Sequence, residues 1–161
     1  MDRILLAVDD SRPSEKAAHV AQDLLRGTPH AELLILYVTQ LLFSRSGYSP
    51  LFDMEYEKKL ASDIESKLRR VNFQHMPHRI TFEHGMGAEP AKIICQAAIE
   101  RSCDLIIVGS RGKKLISRAL SGSVSQSVVD ESKVPVLVVR ESARTCAPTS
   151  RVVTLQTKRK L

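Results

Sequence analysis

The alternation of short apolar runs with longer amphipathic stretches constrains this chain most. The runs are RILLAV (3–8), ELLILYV (32–38), the more polar RITFE (79–83), DLIIV (104–108) and VPVLVV (134–139). Runs this short and this apolar read as strands, and the stretches between them carry helical spacing. Pro13 suits a first helical turn, and Ala17, Val20, Ala21 and Leu24 then form one stripe that Gly27 ends. Glu57, Leu60, Ala61, Ile64, Leu68 and Val71 mark a second helix. Pro90 opens a third, with Ala91, Ile94, Cys95 and Ala98 on its apolar face. Ser123 is placed to cap a fourth helix through Val124, Val128 and Val129. From Thr39 to about Pro50 the chain reads as loop.

Five strands alternating with four helices predict an α/β domain of Rossmann-like type. Right-handed crossovers give it an open parallel sheet with helices on both faces. The polar third strand is expected at an edge. Ligands of such folds sit beyond the carboxyl ends of the strands, where strand order reverses. The places to look are therefore Ala7 to Asp10, Val38 onward, His84 to Gly87, Gly109 to Ser123, and Arg140.

One of these is unusual. VGSRGKKLISRALSGSVS (108–125) places Gly109, Gly112 and Gly122 in a G-x2-G-x9-G-S spacing between a buried strand and a capped helix. Glycines let successive backbone N–H groups turn toward an anion, and a helix N-terminus adds partial positive charge. Ser123 and Ser125 offer hydroxyls, while Arg111, Lys113, Lys114 and Arg118 raise the potential. A polyphosphate suits this loop; a solvated turn is the plain alternative. The P-loop pattern is absent, and GMGAEP (85–90) lacks the third glycine of the dinucleotide fingerprint.

ILLAVDDS, ILYV, AAIERSCDLIIVGSRG and LSGSVSQSVVDESKVPVLVV together resemble the universal stress protein family, over residues 2–140. The glycine pattern is similar to the signature of that family's ATP-binding branch. The resemblance implies a five-stranded sheet of order 3-2-1-4-5, of the adenine nucleotide alpha hydrolase-like type. It also implies a homodimer through the last strand (Val136, Leu137, Val138, Val139) and ATP, with Mg²⁺ carried by the nucleotide, as ligand. Ala7, Asp9 and Val38 would lie around adenine and ribose. Gly109, Arg111, Gly112, Gly122, Ser123, Val124 and Ser125 would follow ribose and phosphates, with Arg111 the loosest match. Asp9 has two open readings, a contact to ribose or Mg²⁺ and a turn residue beside a helix.

A phosphorylation receiver shares the alternation and the acidic end of the first strand. It also needs an Asp after the third strand and a Lys after the fifth, where this chain has His84-Gly85-Met86 and Arg140-Glu141. His75 and His78 have Pro77 between them, which breaks the helix that would align them as ligands. Cys95 and Cys103 are eight residues apart, too far to bridge within one helix, and Cys146 makes the count odd.

Net charge is +6, of which residues 141–161 hold +4. The body, 1–140, is thus nearly balanced, and with 4% aromatics it does not read as a nucleic-acid platform. The start lacks a signal-peptide pattern and no run is long enough to span a membrane, so a cytoplasmic domain is expected. The tail is a basic extension whose RVVTLQT (151–157) has strand propensity; an added strand and a disordered end are both open. With no residue placed to orient an attacking water, the preferred function is a nucleotide-responsive dimeric regulator in a stress response, with slow or no ATP hydrolysis. A true ATPase, and an interaction dimer that binds no nucleotide, are the alternatives.

Overall fold

The computed structural model describes residues 1–41, 54–110 and 124–140. Its strands are β1 (Arg3–Val8), β2 (Glu32–Gln40), β3 (Ile80–Gly87), β4 (Leu105–Gly109) and β5 (Val136–Val139). The helices are α1 (Arg12–Gly27), α2 (Met54–Val71), α3 (Pro90–Glu100) and α4 (Val124–Glu131), with a 3-10 turn at Pro77–Arg79. All strand pairings are parallel, in the order β3-β2-β1-β4-β5. The expected fold class and strand order are therefore observed.

Residue parity divides the sheet. Ile4, Leu6, Val8, Leu33, Ile35, Tyr37 and Ile107 face α1 and α2, where Ala17, Ala18, Ala21, Leu25, Ile64 and Leu68 meet them. Leu5, Leu34, Leu36, Ile106 and Val108 face α3 and α4, against Ala91, Ile94, Ala98 and Val128. The central strands are covered on both faces, which is why their sequences are apolar without alternation. Each fully buried Leu or Ile contributes about 1.5–3 kcal/mol.

Helix ends follow local chemistry. The Ser11 Oγ accepts from the Ser14 N–H at 3.3 Å and caps α1, with Pro13 in the first turn. At the other end Arg79 donates to the carbonyls of Leu25 (3.1 Å), Thr28 (2.6 Å) and Ala31 (2.7 Å). The tight turn after α3 carries Ser102 at φ 53°, in the left-handed region. Asp104 accepts from the N–H groups of Asp2 (2.6 Å) and Arg3 (3.1 Å), lacing the start of β1 to β4, and these bonds hold its carboxyl below the usual range. Cys95 and Cys103 are free and buried, and burial pushes both thiols up.

Several strand boundaries differ from expectation: β4 is shifted by one residue, and β2 runs on to Gln40, taking in Thr39, which was expected to open a loop. β3 runs on to Gly87, past the expected end at Glu83 and through the GMG segment. There the absent side chains make room for Ile93 of α3: a Cβ at Gly85 would lie 3.1 Å from Ile93 Cγ2, and one at Gly87 2.7 Å from Ile93 Cδ1. β5 begins at Val136 rather than Val134, because the Ser132 Oγ accepts from the Val134 N–H (3.0 Å) and donates to its carbonyl (2.7 Å).

Candidate functional site

The strand order reverses between β1 and β4, so the end of β1 and the end of β4 border one crevice. Ala7 pairs with Leu36 on one side and Val108 on the other. Ala7, Val38 and Val124 are partly buried against the α3/α4 core, next to Val108 and Val138. Ala7 and Val38 thus put apolar side chains near the carboxyl end of the sheet, on its α3/α4 face. Ser125 is 8% exposed and sits in the first turn of α4.

Asp9 takes the turn role on one oxygen. Its Oδ1 accepts from the Ser11 N–H at 2.9 Å and from the Ser11 hydroxyl, and its own N–H donates to Ser14 Oγ at 2.9 Å. The carboxylate is thereby fixed to the N-terminal turn of α1, half-buried. Its Oδ2 has no hydrogen-bond partner among the described residues. One oxygen is structural; the other is available.

Gly109 ends β4, and its lack of a side chain has a steric cause. A Cβ there would lie 2.6 Å from the carbonyl carbon of Pro13 and 2.7 Å from its oxygen and from Ser14 N. The end of β4 thus touches the first turn of α1, backbone on backbone, beside Asp9. The chain leaves the sheet at Ser110, whose N–H donates to the Val139 carbonyl at 2.7 Å, and returns at Val124. Arg111, Gly112, Gly122 and Ser123 lie outside the described residues.

A polar network that the sequence reading passed over pins the end of β2, where Val38 sits. Glu57, in the first turn of α2, accepts on Oε2 from the Tyr37 hydroxyl (2.8 Å) and the Thr39 hydroxyl (2.9 Å). Thr39 is 3% exposed and also bonds His84 Nε2 at 2.8 Å. Since the single Thr39 proton goes to Glu57, its oxygen accepts from His84, which assigns the ring hydrogen to Nε2. The signal was present: Glu57 occupies a stripe position of an otherwise apolar helix face. His84 drew notice only by its place near the strand ends.

Burial first, and the Glu57 hydrogen bond second, push the Tyr37 phenol well above the ordinary tyrosine range. Its folded-state pKa is raised, so its contribution to stability is complete below the unfolded value of 10.0 and is lost as pH climbs above it. The urea midpoint should hold steady up to about pH 10 and then fall. Tyr37→Phe should flatten that fall while costing about 1 kcal/mol near neutrality. An equally steep alkaline loss in the variant would refute the assignment.

A well-marked concavity among the described residues lies elsewhere. It is an open groove of about 680 Å³ flanking α3, bordered by Glu83, Gly85, Ile93, Gln96, Ile99 and Lys133, and it contains none of the crevice residues. No cluster of three metal-ligating side chains occurs among the described residues, and no helix there is long and apolar enough to cross a membrane.

Comparison with known proteins agrees with this architecture. The model of the universal stress protein family matches residues 1–140. A universal stress protein of Thermus aquaticus, from the QAH/OAS sulfhydrylase 3' region, is 32% identical over 138 residues, covering 85% of this chain and 97% of its own. The solved structure of UspA from Lactobacillus plantarum superposes with a TM-score of 0.66 at 25% identity, over 86% of this chain and 97% of that one. A universal stress protein from Archaeoglobus fulgidus, solved in complex with dAMP, shares the fold with a TM-score of 0.59 at 20% identity, over 86% and 97%.

Proposed function

The chain belongs to the universal stress protein family, and on that premise we propose that it binds ATP in the crevice between β1 and β4. In this reading it acts as a nucleotide-responsive regulator rather than an efficient hydrolase. The observation that carries the proposal is the close approach of Gly109 to Pro13 and Ser14, in the helical turn that holds Asp9, at the point where strand order reverses. Ala7 and Val38 supply an apolar wall for a flat base. Asp9 Oδ2, which has no partner among the described residues, would accept from ribose hydroxyls on a carboxylate already held in place. The glycine-rich, cationic segment 109–123 leaves the sheet at this point and returns at a helix N-terminus, which suits phosphates. That one structure of the same fold was solved with dAMP is consistent with such a ligand.

Phosphoryl transfer also requires a group that orients the nucleophile. Asp9 is tied to the first turn of α1 through Oδ1. Slow turnover at most is therefore expected. Two copies are proposed to pair along β5, whose outer side has no neighbouring strand among the described residues.

The test is nucleotide release from denatured purified protein, followed by ATP titration of the melting temperature with Mg²⁺. Binding to the folded state should raise the midpoint as free ATP passes its Kd. Asp9→Asn keeps the oxygen that accepts from Ser11 but removes the charge. It should leave the ligand-free melting temperature nearly unchanged and weaken ATP about 10- to 100-fold, the range for losing a charged hydrogen bond. No shift at millimolar ATP would favour an interaction dimer without nucleotide.

A further inference from the structure

The outer edge of β5 has a defined set of open hydrogen-bonding groups. The Ile106 N–H donates to the Pro135 carbonyl (2.9 Å) and the Ser110 N–H to the Val139 carbonyl (2.7 Å). Odd-numbered residues of this strand therefore point their backbone groups at β4, and even-numbered ones point away. Val134 is already engaged with Ser132, and Pro135 has no N–H to give. What remains is the N–H and C=O of Val136 and Val138, facing outward with no strand beside them among the described residues. Leu137, 38% exposed, lies between them. An open apolar edge of this kind recruits a strand.

We propose that the chain's own segment 151–157 is that strand, and that it competes with a second copy for β5. Three features support this occupant. The tail starts where β5 ends, so residues 140–150 allow reversal, and the return runs antiparallel without a crossover. RVVTLQT contains no Gly or Pro and carries four β-branched residues and a leucine in seven positions. An antiparallel return also brings Lys158, Arg159 and Lys160 to the start of β5, beside the exposed Asp130 and Glu131 that end α4. There the helix C-terminus adds further negative potential.

The energetics favour the local strand. Closing a loop of this length costs little more than closing a shorter one. A short flexible linker presents its segment at roughly millimolar effective concentration, about a thousandfold above a second copy at micromolar concentration. Dimers then form only when their contact is stronger than the tail's by that margin, or when something else holds the tail. The outer edge of β3 is longer, but it lies at the far side of the sheet from where the tail begins.

The competition rests on the dimer proposed above, so the test has one readout that does not. In the full chain, Val153→Pro with Leu155→Pro removes two N–H donors and the extended geometry from the segment without changing its charge. Sedimentation of this variant should show dimerisation at least about tenfold tighter than wild type, as expected if a millimolar-range intramolecular competitor is lost. At a dilution where the wild type is monomeric, its Val136 and Val138 amides should exchange slowly, and those of the variant quickly. Equal exchange in the two proteins, protection found at β3 instead, or a wild type that remains dimeric at nanomolar concentration would each overturn the proposal. If neither protein dimerises, the dimer reading fails while the exchange rates still decide on the tail.

Discussion

Arg79→Ala should destabilise the fold by about 2–4 kcal/mol, because charged hydrogen bonds are individually strong and three carbonyls lose a charged donor together. The guanidinium spans Leu25, Thr28 and Ala31, that is, the end of α1 and the turn into β2, from the 3-10 turn that precedes β3. One side chain thus adds a charged donor to carbonyls at a helix C-terminus, those of Leu25 and Thr28 also accepting from backbone N–H groups, and opposes the negative end of its dipole. For a domain of this length the melting temperature should fall by roughly 4–16 °C. Arg79→Lys keeps the charge but not the planar fork, and should recover less than half of the loss. A lysine variant as stable as wild type would show that charge alone matters there, and an alanine variant within about 0.5 kcal/mol of wild type would remove the clamp from the account.

Gly109→Ala should be nearly as damaging, for a different reason. The added methyl meets the backbone of Pro13 and Ser14 at 2.6–2.7 Å, and backbone in a capped helical turn has nowhere to go. Overpacking of this sort costs about 1–3 kcal/mol and sometimes more. The displaced turn carries Ser11 and Ser14, the partners of Asp9, so ATP binding should fail with it. Two other glycines make the control. At Gly87 the alanine methyl meets only the flexible tip of Ile93, and at Gly27 it meets nothing within 4 Å. Both should stay within about 1 kcal/mol of wild type. Chemical denaturation of the three variants side by side checks the order, and a Gly109→Ala protein as stable as Gly27→Ala would contradict the close approach.

These two residues also mark where sequence reasoning and tertiary structure part. Gly109 was legible as special, since it stands between a buried strand and a cationic loop. Its reading as part of a phosphate cradle came from spacing, whereas its contact with α1 depends on how the helix lies across the sheet. Arg79 was legible only as a polar residue at the start of a strand. Its three acceptors come from positions 25 to 31, and no local pattern joins them to position 79. Glu57 falls between the two cases: a carboxylate on an apolar stripe announces a partner without naming it. The shift of β3 to Gly87 has the same origin, because glycines that look like loop residues in isolation are strand residues when a facing isoleucine needs their space.

Sequence by itself determined the number and order of strands and helices, and most of the residues that are buried, although Val71 and Val129 on the expected stripes are exposed. Those follow from the periodic placement of apolar side chains, and a strand covered on both faces has no other way to be written. It also marked the ends of the sheet where a ligand belongs, since parallel crossovers leave one rim for function. Only the tertiary structure decided which atoms are already committed: Asp9 gives one oxygen to its own helix, Tyr37 and Thr39 share one carboxylate, and two residues of β5 turn their backbone groups away from β4, with no strand beside them among the described residues. Such commitments join residues far apart in the chain at distances near 3 Å, and they exist only once packing has brought the elements together.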